Sequence, residues 1–168
     1  MTPVTVLRPA TPDDIGAIAA IYAHHVDHGF GSFEEIPPGE AEMARRFRAI
    51  TEAGFPYLVA AAADGRILGY AYAGPYRPRS AYRHTVEDSV YVLPDAVGQG
   101  VGRALLARLI EEARARGYRQ MIAVIGDSGN TASIALHRAH GFSHQGVLRH
   151  VGLKKGRWLD SVLMQLSL

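Results

Sequence analysis

Three stretches of this 168-residue chain carry side chains whose type and spacing could do chemistry. The first is Ser89-Val90-Tyr91-Val92 followed by Gly98-Gln99-Gly100-Val101-Gly102-Arg103. A strand runs into a turn whose glycines let backbone N–H groups converge. The helix that follows adds its own unpaired N–H groups and its positive dipole end, which together suit phosphate oxygens. The dipole contributes about 0.3–1 kcal/mol at an exposed site, so several N–H bonds must supply most of the binding. The second stretch is Glu87 on the same strand. Side chains alternate along a strand, so Glu87, Ser89 and Tyr91 share one face and Asp88 faces the other way. A carboxylate on a central strand is costly unless it is hydrogen-bonded or functional. Glu87 is therefore a candidate base, or else a structural acid bonded to a nearby hydroxyl or cation; Asp88 is not expected to be essential. The third is the loop Gly74 to Arg83, where Arg77 and Arg79 offer guanidinium forks to a carboxylate, or are simply solvated. Tyr76, Tyr82 and, from an earlier loop, Phe33 can supply an apolar wall.

These residues need a scaffold. Val4 to Leu7 reads as a first strand, and Thr11-Pro12-Asp13-Asp14 as a helix start with Ile15, Ile18, Ala19 and Tyr22 inward. Gly29 to Gly39 is a loop, and Glu40 to Ala53 a second helix stopped by Gly54. Tyr57–Ala63 and Arg66–Ala73 flank Asp64-Gly65, a hairpin signal. Thr85–Val92 is a strand, and the glycine loop leads into a helix to about Arg116, closed by Gly117. Met121–Ile125 is a strand, Asn130 opens a short helix to His140, and two final strands, Phe142–Leu153 and Trp158–Leu166, surround Lys154-Lys155-Gly156. The order β-α-α-β-β-β-α-β-α-β-β predicts one α/β domain of the α+β type over residues 1–168, a mixed central sheet flanked by helices.

Composition narrows the function. With 48% hydrophobic and 20% charged residues the chain is globular. Its net charge of +2 is too balanced to indicate nucleic acid. There is no cysteine, which removes disulfides, thiolate metal sites and a thiol nucleophile and favours a reducing compartment. No secretion signal or membrane-spanning run is visible, so a cytoplasmic protein with no membrane partner is expected.

The glycine segment admits three readings: a packing turn, a dinucleotide fingerprint, or the pyrophosphate loop of an acetyl-CoA-dependent acyltransferase. The fingerprint needs glycine where Arg103 stands, whereas x-x-G-x-G directly before a helix fits the acyltransferase loop. Nearly the whole chain resembles the GNAT-type N-acetyltransferases, and within them the phosphinothricin acetyltransferase-like group. The resemblance rests on Arg8-Pro9-Ala10-Thr11 with Asp13, on Ala73-Gly74-Pro75-Tyr76-Arg77 and Tyr82, and on Val86-Glu87-Asp88-Ser89-Val90-Tyr91-Val92. It extends through the glycine loop to Gly129-Asn130, Ser133, Leu136-His137 and Gly141-Phe142, and ends in Gly156-Arg157-Trp158, Asp160 and Met164-Gln165-Leu166.

The resemblance implies acetyl-CoA as co-substrate, direct transfer to a small-molecule amine, and no metal. It implies that Glu87 deprotonates the amine and that Val90, Tyr91 and Val92 line up the pantetheine arm, on a strand that bulges and splays from the next, with an N–H near Tyr91-Val92 on the thioester carbonyl. Gly98, Gln99, Gly100, Val101, Gly102 and Arg103 take the pyrophosphate. Val97 replaces a residue that is often Arg or Gln, with Gln99 and Arg103 as possible substitutes. Asn130 is a helix cap or a pantetheine contact; His137 is a proton donor to the leaving thiolate or an inert core histidine. Phe33, Arg77, Arg79 and Tyr82 form the acceptor pocket. Phosphinothricin, methionine sulfoximine and methionine sulfone are the implied acceptors, and a homodimer through the C-terminal strands is the implied assembly. Acetylation of a protein N-terminus or another amine, and acetyl-CoA sensing without turnover, are the alternatives.

Other signals are discounted. Gly126-Asp127-Ser128-Gly129 lacks the surroundings of a serine nucleophile. The histidine pair His24 and His28, with His25 between, lacks an evident third metal ligand. Arg45-Arg46-Phe47-Arg48 reads as a solvated helix face.

Overall fold

Helical stripes and alternating strands become elements in the expected order. The computed structural model describes residues 5–168. They form β1 (Val6–Pro9), α1 (Ile15–His28), α2 (Glu40–Glu52), β2 (Tyr57–Ala61), β3 (Ile67–Pro75), β4 (Thr85–Val92), α3 (Val101–Ala115), β5 (Gln120–Gly126), α4 (Thr131–Ala139), β6 (Ser143–Lys154) and β7 (Arg157–Ser167). Val4, placed in the first strand by its β-branched run, lies outside the described residues. The expected helix start at Pro12 is a single 3-10 turn, Pro12–Asp14, before α1 begins at Ile15. Asp14 explains the delay. Its carboxylate accepts the Thr11 N–H at 2.8 Å and two N–H groups of the Arg8 guanidinium at 2.8 Å each, tying β1 to the turn.

The strands make one seven-stranded sheet in the order β1-β2-β3-β4-β5-β7-β6. Every pairing is antiparallel except β4 with β5. Asp64-Gly65 turns the β2–β3 hairpin, with Gly65 at φ 88°. Helices cover both faces. On one, Ile15, Ile18, Ile21, Tyr22 and Val26 of α1 and Met43 and Phe47 of α2 pack on Tyr57, Val59, Ile67 and Tyr70. On the other, the α3 stripe of Val101, Leu105, Leu106, Leu109 and Ile110 packs on Leu58, Leu68, Ala71 and Val86.

The α3 layer lies close because β3 has a glycine beneath it. A Cβ at Gly69 would stand 2.8 Å from the Tyr91 carbonyl oxygen and 3.2 Å from Leu105 Cδ1 and Val101 Cγ1. Backbone and helix would have to move apart to admit it. Gly69→Ala is expected to cost about 1–3 kcal/mol, and the unfolding midpoint to fall by roughly 2–4 °C per kcal/mol. An unchanged midpoint in differential scanning calorimetry would show that α3 can shift freely.

Candidate active site

The parallel pair β4–β5 is short. Thr85, Val86 and Glu87 pair with Gln120, Met121 and Ile122, and pairing ends there. β4 runs on to Val92 and β5 to Gly126 without touching. Each is held by its other neighbour. The β3–β4 register is unbroken from Gly69↔Val92 to Pro75↔Val86, and β5 pairs with β7 from Gln120↔Ser167 to Gly126↔Ser161. The expected splay is therefore present, but β4 carries no bulge against β3.

Chain direction decides what faces the gap. Leu93 N–H donates to Leu68 O on β3. N–H and C=O groups alternate sides along a strand, so Asp88, Val90 and Val92 turn theirs toward the gap, where no strand meets them. The Val92 carbonyl is covered by His25, whose Nε2–H donates to it at 2.8 Å. Burial holds the His25 pKa down despite that bond, which keeps the ring neutral.

The gap opens into a cleft of about 930 Å³ that reaches from the glycine loop to the Gly29–Phe33 segment, within the range of small-molecule sites. At the loop end Gly98 and Gly100 have φ of 81° and 83°, and Gly100 caps α3. Ala104 N–H is the first to bond within the helix, to Gly100 O. The N–H groups of Val101, Gly102 and Arg103 thus have no helical partner. Arg103 borders the cleft there with its side chain exposed. At the other end Glu87 borders it, half-buried, with no hydrogen bond to its carboxylate among the described residues. Burial first, then the charge of Asp88, push the Glu87 carboxyl above its usual range, against the lowering effect of Arg77. A carboxylate so placed can take a proton from a cationic amine.

A family model described as the acetyltransferase (GNAT) family matches residues 18–142. The chain belongs to this family. The enzyme is 60% identical over 159 residues to the phosphinothricin N-acetyltransferase of Alcaligenes faecalis, covering 95% of this chain and 80% of that one. It is 46% identical over 162 residues to an L-methionine sulfoximine/L-methionine sulfone acetyltransferase of Pseudomonas aeruginosa, covering 96% of this chain and 94% of that one. A crystal structure of a phosphinothricin acetyltransferase from Sinorhizobium meliloti, in complex with AcCoA, superposes with a TM-score of 0.95 at 50% identity, covering 100% of this chain and 89% of that one.

Most residues expected in the enzyme's site border the cleft: Glu87, Val90, Tyr91, Val92, Gly98, Gly100, Val101, Gly102, Arg103, Asn130, His137 and Phe33. Four do not. Gln99 turns away, its Nε2 donating to Asp95 O at 2.8 Å, so it is no stand-in for the side chain missing at Val97. Arg77, Arg79 and Tyr82 sit on an exposed loop outside the cleft wall. Arg77 lies over the Tyr76 ring, with Cζ 5.2 Å from its centroid, and reaches the site only through its charge on Glu87.

Two cleft residues have their polar atoms committed elsewhere. Asn130 caps α4, accepting from Ser133 N at 3.2 Å and donating to Gly126 O at 3.0 Å. His137 is buried with both ring nitrogens bonded, Nδ1 to Ser133 O at 2.7 Å and Nε2 to Asp88 Oδ2 at 2.8 Å. A carbonyl can only accept, so Nδ1 carries a proton, and Nε2 is held by the Asp88 carboxyl. Neither nitrogen is free to serve a leaving thiolate, contrary to the proton-donor reading. Asp88, expected to be dispensable, is the partner that joins β4 to α4 just past the split.

Sequence reasoning also missed Lys154, read as part of a turn. It is 1% exposed, and its ammonium donates to Gly29 O at 3.0 Å and Ser32 O at 2.8 Å, pinning the far wall of the cleft. Phe33 completes that wall. Its ring fills the places that a Cβ of Gly126 or Gly152 would occupy. No local motif announces either contact, since the partners lie about 100 residues away in sequence. The histidines of α1 do not converge on a metal: His24 and His28 stack at 4.5 Å, and no group of three potential metal ligands occurs among the described residues.

The buried pair has a pH signature. Burial lowers the His137 pKa, but the Asp88 hydrogen bond and charge and the Ser133 carbonyl outweigh it, so the folded value is raised. A raised folded pKa stabilises fully below the unfolded value of about 6.5, and the contribution is lost as pH rises through the folded value. His137→Ala is expected to cost about 3–5 kcal/mol at pH 6 and less at pH 9. Urea unfolding at both pH values checks this; a cost that grows with pH would contradict the assignment.

Proposed function

We propose that the enzyme transfers the acetyl group of acetyl-CoA to the α-amine of an amino-acid analogue of the phosphinothricin, methionine sulfoximine or methionine sulfone type. The observation that carries this reading is the cleft itself. It joins unpaired N–H groups at the α3 start, an open strand edge along β4, and Glu87 with a raised pKa where the strands meet. The similarity to the two acetyltransferases named above supports the acceptor class.

In this mechanism the N–H groups of the glycine loop and α3, with Arg103, hold the pyrophosphate. The open edges of Val90 and Val92 pair with the pantetheine arm as a further strand would, and the Val92 N–H polarises the thioester carbonyl. Glu87 takes a proton from the ammonium of the acceptor. The amine nitrogen then bonds to the acyl carbon, the C–S bond breaks, and the nitrogen releases its second surplus proton to solvent as the thiolate leaves and is protonated by solvent. No cysteine is present to form an acetyl-cysteine, and direct attack with both substrates bound together is the simpler route. For Arg77 to meet the acceptor's carboxylate, its guanidinium must swing from the Tyr76 ring toward Glu87, with Arg79 and Tyr82 following on the same exposed loop. The reading places the enzyme in the cytoplasm with its donor.

An acceptor panel tests this. Thiol release from acetyl-CoA is expected with at least one of phosphinothricin, methionine sulfoximine and methionine sulfone; activity confined to peptides or polyamines would sink it. Glu87→Gln is expected to lower kcat about 10²–10⁴-fold at neutral pH with acetyl-CoA affinity unchanged. The wild-type rate should fall on the acidic side as Glu87 is protonated, with a midpoint above the usual glutamate value. A variant that keeps its rate would remove Glu87 from the mechanism.

A homodimer through the β6–β7 ribbon belongs to the same proposal. Leu148, Val151, Leu153 and Trp158 are each more than half exposed there, and β6 is a long edge strand, which proteins seldom leave bare. Analytical ultracentrifugation of the wild type should give twice the chain mass, and Trp158→Glu should shift it toward one; a wild type that sediments as one chain would refute this.

A further inference from the structure

The loop between α1 and α2 has little regular structure of its own. Among the described residues, no backbone–backbone hydrogen bond involves residues 30–38. Side chains hold the loop instead, and those at its start come from the far end of the chain. Lys154 closes β6, and its buried ammonium donates to the carbonyls of Gly29 and Ser32 at 3.0 and 2.8 Å. Lys155 Nζ donates to Asp27 O in the last turn of α1. Two ammonium groups thus meet the negative end of that helix. Arg157 Cζ lies 4.8 Å from the centroid of the Phe30 ring. The Phe33 ring lies against Gly152, where a Cβ would stand 2.6 Å from Phe33 Cε2. Each of these contacts joins residues 152–157, the end of the β6–β7 hairpin, to residues 27–33.

Residues 29–33 border the cleft, and Lys154 does not. They lie on the side to which Glu87 turns. Ser32 Oγ and the Tyr22 hydroxyl are 2.8 Å apart, and the Tyr22 ring meets the Tyr91 ring at a centroid distance of 5.1 Å. Tyr91 shares a face of β4 with Ser89 and Glu87. The donor's proposed contacts are positioned differently, by the β3–β4 register and by the packing of α3 on β2 and β3.

We propose that Lys154 is a positioning residue for the acceptor: from outside the cleft it fixes the loop that forms the acceptor's wall, so that the KM for the amine depends on it and the KM for acetyl-CoA does not. The proposal rests on the amino-acid acetyltransferase reading and adds what sets its acceptor affinity. A lysine suits the task because one ammonium carries three N–H donors and serves both carbonyls at once. Without it the two carbonyls lose their donor and the loop is free to shift, and a misplacement of about 1 Å can cost 10²-fold.

The test measures KM for the best of the three acceptors named above and KM for acetyl-CoA, each with the other substrate saturating, in two variants. Lys154→Met keeps the bulk and removes the ammonium. Gly152→Ala removes no polar group and lies outside the cleft lining, but its methyl must displace the Phe33 ring. Both are expected to raise the acceptor KM about 10–100-fold, with the acetyl-CoA KM changed less than about threefold and kcat affected less than the acceptor KM. A merely structural role would lower the active fraction and leave both KM values where they were. If Lys154→Met does not fold, Gly152→Ala decides alone. A folded variant whose acceptor KM stays within about threefold of the wild type, or whose acetyl-CoA KM rises equally, overturns the inference alone. A wild type inactive on phosphinothricin, methionine sulfoximine and methionine sulfone overturns the functional reading and the inference with it.

Discussion

The parting of β4 from β5 after Glu87 and Ile122 is the constraint on which the rest of the molecule depends. Two adjacent parallel strands would ordinarily exchange hydrogen bonds along their length. Here each is pinned more firmly on its outer side, β4 along β3 and β5 along β7. The sheet divides into two smaller sheets that share three paired residues. The division leaves backbone N–H and C=O groups of β4 facing empty space, a cost that a bound chain of suitable polarity removes. It also gives β4 two chemically different sides at one point. Glu87 faces the α1 layer and Asp88 the α3–α4 layer, so the carboxylate available for proton transfer and the one locked to His137 are neighbours in sequence.

Hydrogen-bond accounting separates the groups that hold the cleft from those that can act in it. Asn130, His137, Asp127, Gln99 and Lys154 have their polar atoms engaged by the protein. Lys154 is the costliest of these, a buried ammonium whose hydrogen bonds go to two carbonyl oxygens, which buys a fixed position for the Gly29–Ser32 backbone. Glu87, Arg103, Arg157 and Asp88 Oδ1, which is buried with no hydrogen-bond partner among the described residues, have capacity left. In the proposed mechanism the chemistry rests on few of these side chains.

The readable parts of the chain were those written in local pattern. The Asp64-Gly65 hairpin, the α3 stripe and the glycine loop before it depend on neighbours within a few residues, and the structure places them as the spacing predicts. Glu87 was legible for the same reason, since alternation along a strand is a property of the backbone. The reading failed where a side chain's role depends on a distant partner. Asp88 looked idle because His137 is 49 residues away. The loop that carries Arg77 and Arg79 lies outside the cleft wall, whereas Arg157, from the other end of the chain, borders it, and no local pattern announces either placement.

By itself the sequence determined the order of the elements, the glycine-rich start of α3, the carboxylate on β4 and the absence of any cysteine thiol, because periodicity, glycine geometry and composition act over short range or over none. Only the tertiary structure decided how far β4 and β5 stay paired, which residues across the gap face one another, and which donors and acceptors are already spent. Those outcomes arise from sheet order and from contacts between strands more than thirty residues apart, and a polar side chain becomes reactive or structural according to what such contacts leave unsatisfied.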